Sequence, residues 1–326
     1  MFAARITAPK RFEIEDIEIP QINDGQCLIK LENWSVCGSD IRHGYGPVFS
    51  EENYPMKHGG NCHECAGTIV ESKSNKFKVG QRVIVLPSAE SHGGLVEYYP
   101  GDEGKMALIP DHGELSEWIL CQPSGTVLYA CQQMGTILGK DVVIFGQGSI
   151  GLSFTAIVAR AGARRVIVVD PLDYRLEWGK NFGATHTINP EQVDLDEALS
   201  EITEGKLADI SVEAAGFPDT LNASIRSATK DGKVIIFGIQ HDGPDGRWTS
   251  IDTQYFLKNT PIIIPTQASR SGDPIGHIER MIELKERGWW DPGEMKTHEM
   301  KFSEVNAAYD QYEQYQDEVI KVVMSI

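Results

Sequence analysis

The fold of this chain is decided by residues 142–170, VVIFGQGSIGLSFTAIVARAGARRVIVVD. An apolar run leads directly into Gly146, Gly148 and Gly151, and a helical segment and a second apolar run ending in Asp170 follow. Glycines in the spacing G-x-G-x-x-G allow a tight turn, close approach of the backbone to a pyrophosphate, and close packing of the helix on the strand. The stretch therefore predicts a β–α–β unit with a dinucleotide-binding loop.

The same stretch indicates which dinucleotide binds. The N-terminus of its helix would offer unpaired N–H groups and a positive dipole end to the phosphates. Asp170 lies 19 residues after Gly151, where a carboxylate can accept a hydrogen bond from the ribose 2′-hydroxyl and would repel a 2′-phosphate. The sequence thus predicts NAD rather than NADP. The predicted cofactor-binding residues are Gly146, Gly148, Ser149, Ile150, Gly151, Asp170 and Arg175.

Apolar runs recur after VVIF (142–145) and VIVV (166–169) of this unit, namely ISV (210–212), VIIF (234–237) and PIII (261–264). They alternate with segments of helical character and lack the polar alternation of a half-exposed strand, as expected for strands covered on both faces. Repeated strand–helix units imply a parallel sheet with right-handed crossovers. We therefore predict a doubly wound Rossmann domain at 124–265, with PIII as its last strand.

The residues before and after this domain differ from it in their sequence pattern. Residues 1–123 contain short apolar runs broken by glycine, proline and aspartate, which is typical of a mostly β region with turns. Within them, residues 86–114 are rich in glycine and acids, and we interpret them as a lobe or long loop. Residues 266–326 combine helical patterns with a last strand, so we expect this tail to rejoin the first domain. The predicted protein is a two-domain α/β protein.

Composition narrows the class of function. Hydrophobic residues make up 41% of the chain and charged residues 24%, and no apolar run reaches the length of a membrane span. The net charge of −17 argues against nucleic acid and anionic membranes as partners, since both need a basic surface. The first residues lack the pattern of a secretory signal, so we expect a cytoplasmic protein whose six cysteines are thiols or metal ligands.

A candidate metal motif lies in GNCHECAG, residues 60–67, where two cysteines in C-x-x-C spacing bracket His63 and Glu64. It is either a self-contained zinc knuckle or part of a site completed elsewhere in the chain. A structural zinc takes four ligands from one compact module, and adjacent residues of an extended segment point to opposite faces. We therefore favour a shared site, with Cys62 and Cys65 as buried thiols.

Other motifs extend over the rest of the chain. They are VCGSDIRH (36–43), the His63–Glu64 pair followed by CAGTIVE, FKVGQRV, the glycine loop with Asp170, VEAAG (212–216) and the tail KTHEMKFSEVNAAY. Together they resemble the zinc-dependent medium-chain dehydrogenases, the group of alcohol, polyol and threonine dehydrogenases. The resemblance implies a GroES-like β-rich catalytic domain beside the Rossmann domain. It also implies a homodimer or homotetramer, for which the edge near PIII offers a pairing surface.

The resemblance assigns roles to residues of the first domain. It implies that Cys37 and His63 bind a catalytic zinc ion, and a thiolate and an imidazole suit zinc. Glu64 is implied as a further ligand, Asp40 as the acceptor that orients the histidine, and Ser39 as the group that passes the alcohol proton outward. The implied reaction moves a hydride between NAD and a secondary alcohol or polyol, or the matching ketone, with zinc lowering the pKa of the alcohol.

The sequence departs from the family pattern in its ligand set. At the position of the remaining protein ligand stands Gln122, a poor zinc ligand, with Cys121 just before it. Either Glu64 completes the set of zinc ligands together with a water molecule, or Cys121 moves in to bind the zinc. Residues 86–112 contain no cysteine, so we expect one catalytic zinc and no structural zinc.

The proton relay departs from the pattern too, since Arg42 stands where the family usually has a histidine and His43 follows one place later. Two other functions stay open. The first is a zinc-free reductase of the same superfamily that acts on an enone or quinone with NAD(P)H. The second is a protein that binds the dinucleotide without catalysis. Cys37, His63, Glu64 and Asp170 argue against the reductase, whereas the departures at Gln122 and Arg42 leave the non-catalytic function open.

Overall fold

The computed structural model describes residues 1–47, 49–60, 62–87, 93–239 and 249–326. The chain divides into two compact units, one formed by Met1–Gly125 with Ile275–Ile326 and the other by Thr126–Pro274. The first unit contains a mostly antiparallel sheet, and the second contains a parallel sheet whose strands are joined through helices. The predicted α/β class of fold is confirmed.

Strands occur in both units and are numbered in chain order. They are β1 Phe2–Ala8, β2 Arg11–Asp16, β3 Gln26–Ser35, β4 Cys65–Ser72, β5 Arg82–Val85, β6 Tyr98–Asp102, β7 Met106–Leu108, β8 Asp141–Phe145, β9 Arg165–Val169, β10 His186–Ile188, β11 Ala208–Glu213, β12 Ala228–Ile236, β13 Ile262–Pro265, β14 His298–Lys301 and β15 Val322–Ser325.

The α-helices are numbered in the same way. They are α1 Gly38–Asp40, α2 Leu115–Trp118, α3 Cys121–Met134, α4 Ser149–Arg160, α5 Asp173–Asn181, α6 Leu195–Ile202, α7 Pro218–Ser227, α8 Thr253–Asn259, α9 Pro274–Glu286 and α10 Val305–Glu313. None of these described helices is long and apolar enough to cross a membrane.

The large sheet of the first unit joins both ends of the chain. Its strands follow the order β14-β15-β3-β4-β5-β7, and β6 pairs with β3 as well. Strand β15, from the C-terminal segment, runs antiparallel to β3 and pairs Val323 with Ser35. The buried apolar side chains of this unit draw on both segments, as Trp34 and Val322 illustrate. The tail is therefore an integral part of this sheet and its core.

Residues 86–114 are more regular than a lobe or long loop, and that interpretation is wrong for part of the segment. Strand β6 pairs with β3 along its whole length, and β7 pairs with β5. Both strands are short, and β6 contains Pro100 and Gly101, so the sequence alternation that would reveal a strand is broken. Pairing within the sheet sets their conformation rather than intrinsic propensity. Residues 88–92 lie outside the described part of the chain.

The second unit is built on a parallel six-stranded sheet in the order β10-β9-β8-β11-β12-β13. Strand β8 is buried along its whole length, as expected for a strand covered on both faces. The strand order reverses between β8 and β11, which is the switch point where ligands bind in open α/β sheets. The three isoleucines of the run PIII lie in β13 at the edge of the sheet, as predicted, and Ile262 there is 53% exposed.

Candidate active site

Strand pairing brings the two candidate metal motifs together. Strands β3 and β4 run antiparallel with Trp34 opposite Cys65. Just beyond that pair, the N–H of Ser35 donates to the carbonyl oxygen of Glu64 at 3.0 Å. Cys37 follows β3 by two residues, so the register of the sheet places it beside the segment that enters β4.

Cys37, His63 and Glu64 form a group whose potential ligand atoms all lie within 4.8 Å of one another. Cys37 is half-buried, and Glu64 is fully buried. The side chains of His63 and Glu64 can converge because both residues precede β4 and escape the alternation of a regular strand. A thiol, an imidazole and a carboxylate are a donor set that suits zinc and leaves a fourth tetrahedral position open.

The thiols of Cys62 and Cys65 do not belong to this group in the described part of the chain. Both residues are buried, and their Sγ atoms lie 3.8 Å apart. The hydrogen bond with Cys65, together with burial, raises the pKa of Cys62 well above its usual value. These cysteines are therefore arranged as paired thiols of the core, next to the candidate ligands.

Asp40 holds the imidazole of His63 in a fixed orientation. Its Oδ1 lies 2.9 Å from Nδ1 of His63, and its Oδ2 accepts the N–H of Cys37 at 3.2 Å. Burial opposes the imidazolium charge, yet the neighbouring Asp40 and Cys37 raise the pKa of His63 well above its usual value. Because Nδ1 is engaged, Nε2 is the nitrogen suited to bind a metal, and it lies 3.5 Å from Oγ of Ser39.

The glycine loop connects β8 to α4 in the second unit. Gly146 has a φ of +91°, and a Cβ at Gly151 would overlap the carbonyl oxygen of Gly146, so both positions require glycine. Gly148 is the N-cap of α4, and Ser149 and Ile150 begin its first turn. The first turn of a helix offers its N–H groups to anions, which is the arrangement that a pyrophosphate needs.

Asp170 follows β9 and ties the glycine loop to the segment before α5. Its Oδ2 accepts the N–H of Gln147 at 2.7 Å, and its Oδ1 accepts the N–H of Leu172 at 3.0 Å. Nη1 of Arg175 lies 3.9 Å from Oδ2 of Asp170, and a Cβ on Gly148 would lie 3.9 Å from the same nitrogen. Burial raises the pKa of Asp170. The predicted cofactor residues Asp170 and Arg175 therefore lie together against the loop.

Comparison with protein families agrees with this arrangement. The alcohol dehydrogenase GroES-like domain matches residues 23–130, and the zinc-binding dehydrogenase domain matches residues 149–284. This chain belongs to the zinc-type medium-chain dehydrogenases. It is therefore an oxidoreductase, and the predicted family and the predicted pairing of a GroES-like domain with a Rossmann domain are confirmed.

The dehydrogenase has relatives along nearly its whole length. A sorbitol dehydrogenase of Bacillus subtilis (strain 168) is 28% identical over 356 residues, covering 99% of this chain and 97% of the relative. The crystal structure of an oxidoreductase of unknown specificity from Escherichia coli has a TM-score of 0.86 at 27% identity, covering 100% of this chain and 99% of that chain. The 2R,3R-butanediol dehydrogenase of Bacillus subtilis has a TM-score of 0.84 at 23% identity, covering 100% and 99% of the two chains, a likeness of fold alone.

Sequence reasoning missed Lys321 of this dehydrogenase. Its Nζ lies 2.9 and 3.1 Å from the two carboxylate oxygens of Glu64, and it donates to the carbonyl oxygen of Val36 at 2.8 Å. Both charged side chains are buried. Burial opposes the ammonium charge, but Glu64 raises the pKa of Lys321 above its usual value, so the charge persists. The signal in the sequence is the single lysine inside the apolar run VIKVV.

Among the described residues of the dehydrogenase, Cys121 does not belong to the cluster of candidate metal ligands. Cys121 is buried near Lys285 and Asp291, and burial raises the pKa of its thiol to about 12. Gln122 is 5% exposed, and its Oε1 has no hydrogen-bond partner within the described ranges. Since buried polar atoms are normally paired, this oxygen is a candidate acceptor for a ligand.

The candidate proton-relay residues differ in whether they contact the candidate metal ligands. Oγ of Ser39 donates to Sγ of Cys37 at 3.2 Å and lies 3.5 Å from Nε2 of His63. Arg42 and His43 lie on the π-helical turn that follows α1, where Arg42 is half-buried and His43 is exposed. Ser39 therefore contacts both candidate ligands, whereas His43 faces solvent.

Proposed function

We propose that this dehydrogenase transfers a hydride between NAD and a secondary alcohol or polyol, or the matching ketone, with one zinc ion held by Cys37, His63 and Glu64. The observation that carries the proposal is the convergence of these three side chains within 4.8 Å. Their sulfur, nitrogen and oxygen donors fit zinc, and three protein ligands with an open fourth position are typical of a catalytic rather than a structural zinc.

The ligands are supported by the groups around them. Asp40 accepts from Nδ1 of the imidazole, which fixes the tautomer of His63 and directs Nε2 towards the cation. Lys321 faces both oxygens of Glu64, so a bound cation and the ammonium group share one carboxylate. Sharing lowers the negative charge that Glu64 gives to the cation, which favours a more electrophilic centre.

A zinc ion in this position would lower the pKa of a substrate hydroxyl and stabilise the developing alkoxide charge. The chain itself supplies the path for the proton. Oγ of Ser39 lies against Cys37 and His63, and we assign it the first relay role, in which it accepts the proton of the substrate hydroxyl as its own hydroxyl proton passes outward to solvent.

The cofactor is bound by the second unit. The first turn of α4 accepts the pyrophosphate, and the carboxylate of Asp170 accepts the ribose 2′-hydroxyl while disfavouring a 2′-phosphate. Asp170 retains this capacity because a carboxylate offers about four acceptor positions, and backbone N–H groups of Gln147 and Leu172 use two of them.

The substrate class rests on the relatives. Sorbitol dehydrogenases of Bacillus subtilis and Saccharomyces cerevisiae align with 99% and 95% of this chain at 28% and 27% identity. An L-threonine 3-dehydrogenase of Chromobacterium violaceum aligns with 76% of it at 27% identity. Sorbitol is a polyol that carries secondary hydroxyl groups, and the hydroxyl of threonine is secondary, which supports a secondary alcohol or polyol as the substrate here.

The test is the zinc content of the purified protein and of the Cys37→Ser variant, measured by metal analysis beside a screen of polyols and secondary alcohols with NAD. We expect about one zinc per subunit in the wild type and loss of zinc and turnover in Cys37→Ser. Cys27→Ser is the matched control, because Cys27 is a buried thiol of β3 whose Sγ contacts Ser72. Zinc that survives Cys37→Ser, or a wild type without zinc that reduces enones, would contradict the proposal.

A further inference from the structure

A buried carboxylate at the switch point of the second unit has no part in the chemistry above. Glu213 is the last residue of β11 and has 0% exposure. Its Oε1 accepts the backbone N–H groups of Ala215 at 3.0 Å and Gly216 at 2.6 Å, and the hydroxyl of Thr220 at 2.8 Å. One oxygen thus fixes the loop 214–217 and the first turn of α7.

The same residue also holds the loop that follows β12. The carbonyl oxygen of Glu213 accepts the N–H groups of both Phe237 and Gly238 at 3.0 Å. A Cβ on Gly238 would overlap Oε2 of Glu213 and the nitrogen of Gly216. The loops after β11 and β12 therefore pack against each other around this one side chain, at the carboxyl edge of the sheet.

The loop 214–217 touches the glycine loop on its other side. A Cβ on Gly146 would lie 3.0 Å from Cβ of Ala215 and 3.1 Å from its nitrogen. The main-chain N–H of Ala214 donates to the carbonyl oxygen of Phe145 at 3.0 Å. Glu213 thus lies between the glycine loop and the loops that follow β11 and β12, and it holds the latter two in place.

The strand order indicates which half of the parallel sheet faces which end of a dinucleotide. In a doubly wound sheet the cofactor lies across the point where the strand order reverses, with one nucleotide on each half. The glycine loop and Asp170 follow β8 and β9 and serve the adenosine half. The loops held by Glu213 follow β11 and β12, which leaves them the nicotinamide half.

We propose that Glu213 is a positioning residue that holds the loops 214–217 and 237–239 in the conformation that binds the nicotinamide half of the cofactor. The inference rests on the proposed use of NAD. A charged acceptor is suited to this task because hydrogen bonds to a carboxylate are roughly twice as strong as neutral ones. Three donors on one oxygen also define the loop geometry more closely than packing alone.

The test uses Glu213→Gln in the full-length protein and compares two ligands by titration calorimetry. NADH contains both halves of the dinucleotide, whereas ADP-ribose lacks the nicotinamide. We expect Glu213→Gln to weaken NADH binding about tenfold, as the loss of a charge-assisted hydrogen bond implies, and to leave ADP-ribose binding unchanged. The KM for NAD should rise in parallel.

Asp141→Asn is the matched control. Asp141 is a buried carboxylate of the same unit, but it begins β8 at the opposite end of the strand and pairs with Arg164 and Arg165. We expect this variant to lower the melting temperature without changing the ratio of NADH to ADP-ribose affinity. If Glu213→Gln does not fold, Thr220→Val removes one donor to the same oxygen and should produce a smaller shift in the same direction.

The outcomes separate this inference from the proposed function. Equal weakening of NADH and ADP-ribose, or no change in either, would overturn the role of Glu213 while leaving NAD as the cofactor. A wild type that binds neither NADH nor ADP-ribose would overturn the proposed use of NAD, and this inference with it.

Discussion

At the residue scale, the ion pair of Lys321 and Glu64 is a buried electrostatic constraint on the candidate site. Both side chains are buried, and the ammonium lies 2.9 Å from the carboxylate. Removing one partner of a buried pair leaves an uncompensated charge and typically costs about 3–5 kcal/mol. The pair therefore couples the stability of the first unit to the state of a candidate metal ligand.

In the zinc-free protein, Lys321→Met should lower the free energy of unfolding by about 3 kcal/mol or more, because Glu64 then remains buried as an isolated charge. The double variant Glu64→Gln with Lys321→Met removes both charges and should recover part of that loss. Denaturant unfolding of the two variants measures the difference. A double variant no more stable than Lys321→Met would show that lost packing, and not the stranded charge, dominates.

Asp40 supports a second prediction at this scale. Asp40→Asn keeps the shape of the side chain but removes the charge beside Nδ1 of His63, and loss of such a partner typically weakens metal binding about 10-fold to 100-fold. Competition with a chelating dye measures the zinc affinity. Asp310→Asn is the control, because Asp310 accepts from Tyr45 at 2.7 Å in the same unit and contacts no candidate ligand in the described contacts. Equal zinc affinities in wild type and Asp40→Asn would contradict the assigned role.

At the scale of elements, the sequence predicts those helices, strands and turns whose conformation is set by residues close together in the chain. The β–α–β unit is predicted because its glycines, apolar runs and helix lie within one short stretch, and Asp40 lies three residues from Cys37. Strands β6 and β7 are not predicted, because their extended conformation depends on pairing with β3 and β5, which lie elsewhere in the chain. Lys321 lies 257 residues from Glu64, so spacing alone cannot connect them.

We expect the turn between β9 and α5 to determine whether NAD or NADP is bound. Asp170→Asn removes the charge that repels a 2′-phosphate and leaves Arg175, 3.9 Å away, to attract it. We expect the ratio of kcat/KM for NADP to that for NAD to rise about tenfold, which corresponds to about 1.4 kcal/mol. Adding Arg175→Met should cancel the gain. An unchanged ratio in Asp170→Asn would mean that this carboxylate serves only the backbone N–H groups of Gln147 and Leu172.

At the scale of the whole molecule, the candidate metal centre depends on both ends of the chain. Strand β15 pairs antiparallel with β3, and this pairing sets Lys321, the residue before β15, beside the carbonyl oxygen of Val36 and the carboxylate of Glu64. The tail therefore completes the polar surroundings of the ligands. A protein that lacks it would lose two sheet strands, β14 and β15, together with the counter-charge of Glu64.

The last prediction concerns assembly through the edge of the parallel sheet. Strand β13 is the terminal strand of that sheet, and its Ile262 is 53% exposed. An exposed apolar edge strand is a template for pairing with another chain, and we expect a homodimer or homotetramer that uses it. Ile262→Lys places a charge on this edge and should shift the protein to smaller species in size-exclusion chromatography with light scattering. Leu138→Lys is the control, because Leu138 is 72% exposed in the same unit but precedes β8. Assemblies of unchanged size in Ile262→Lys would assign the contact to another surface.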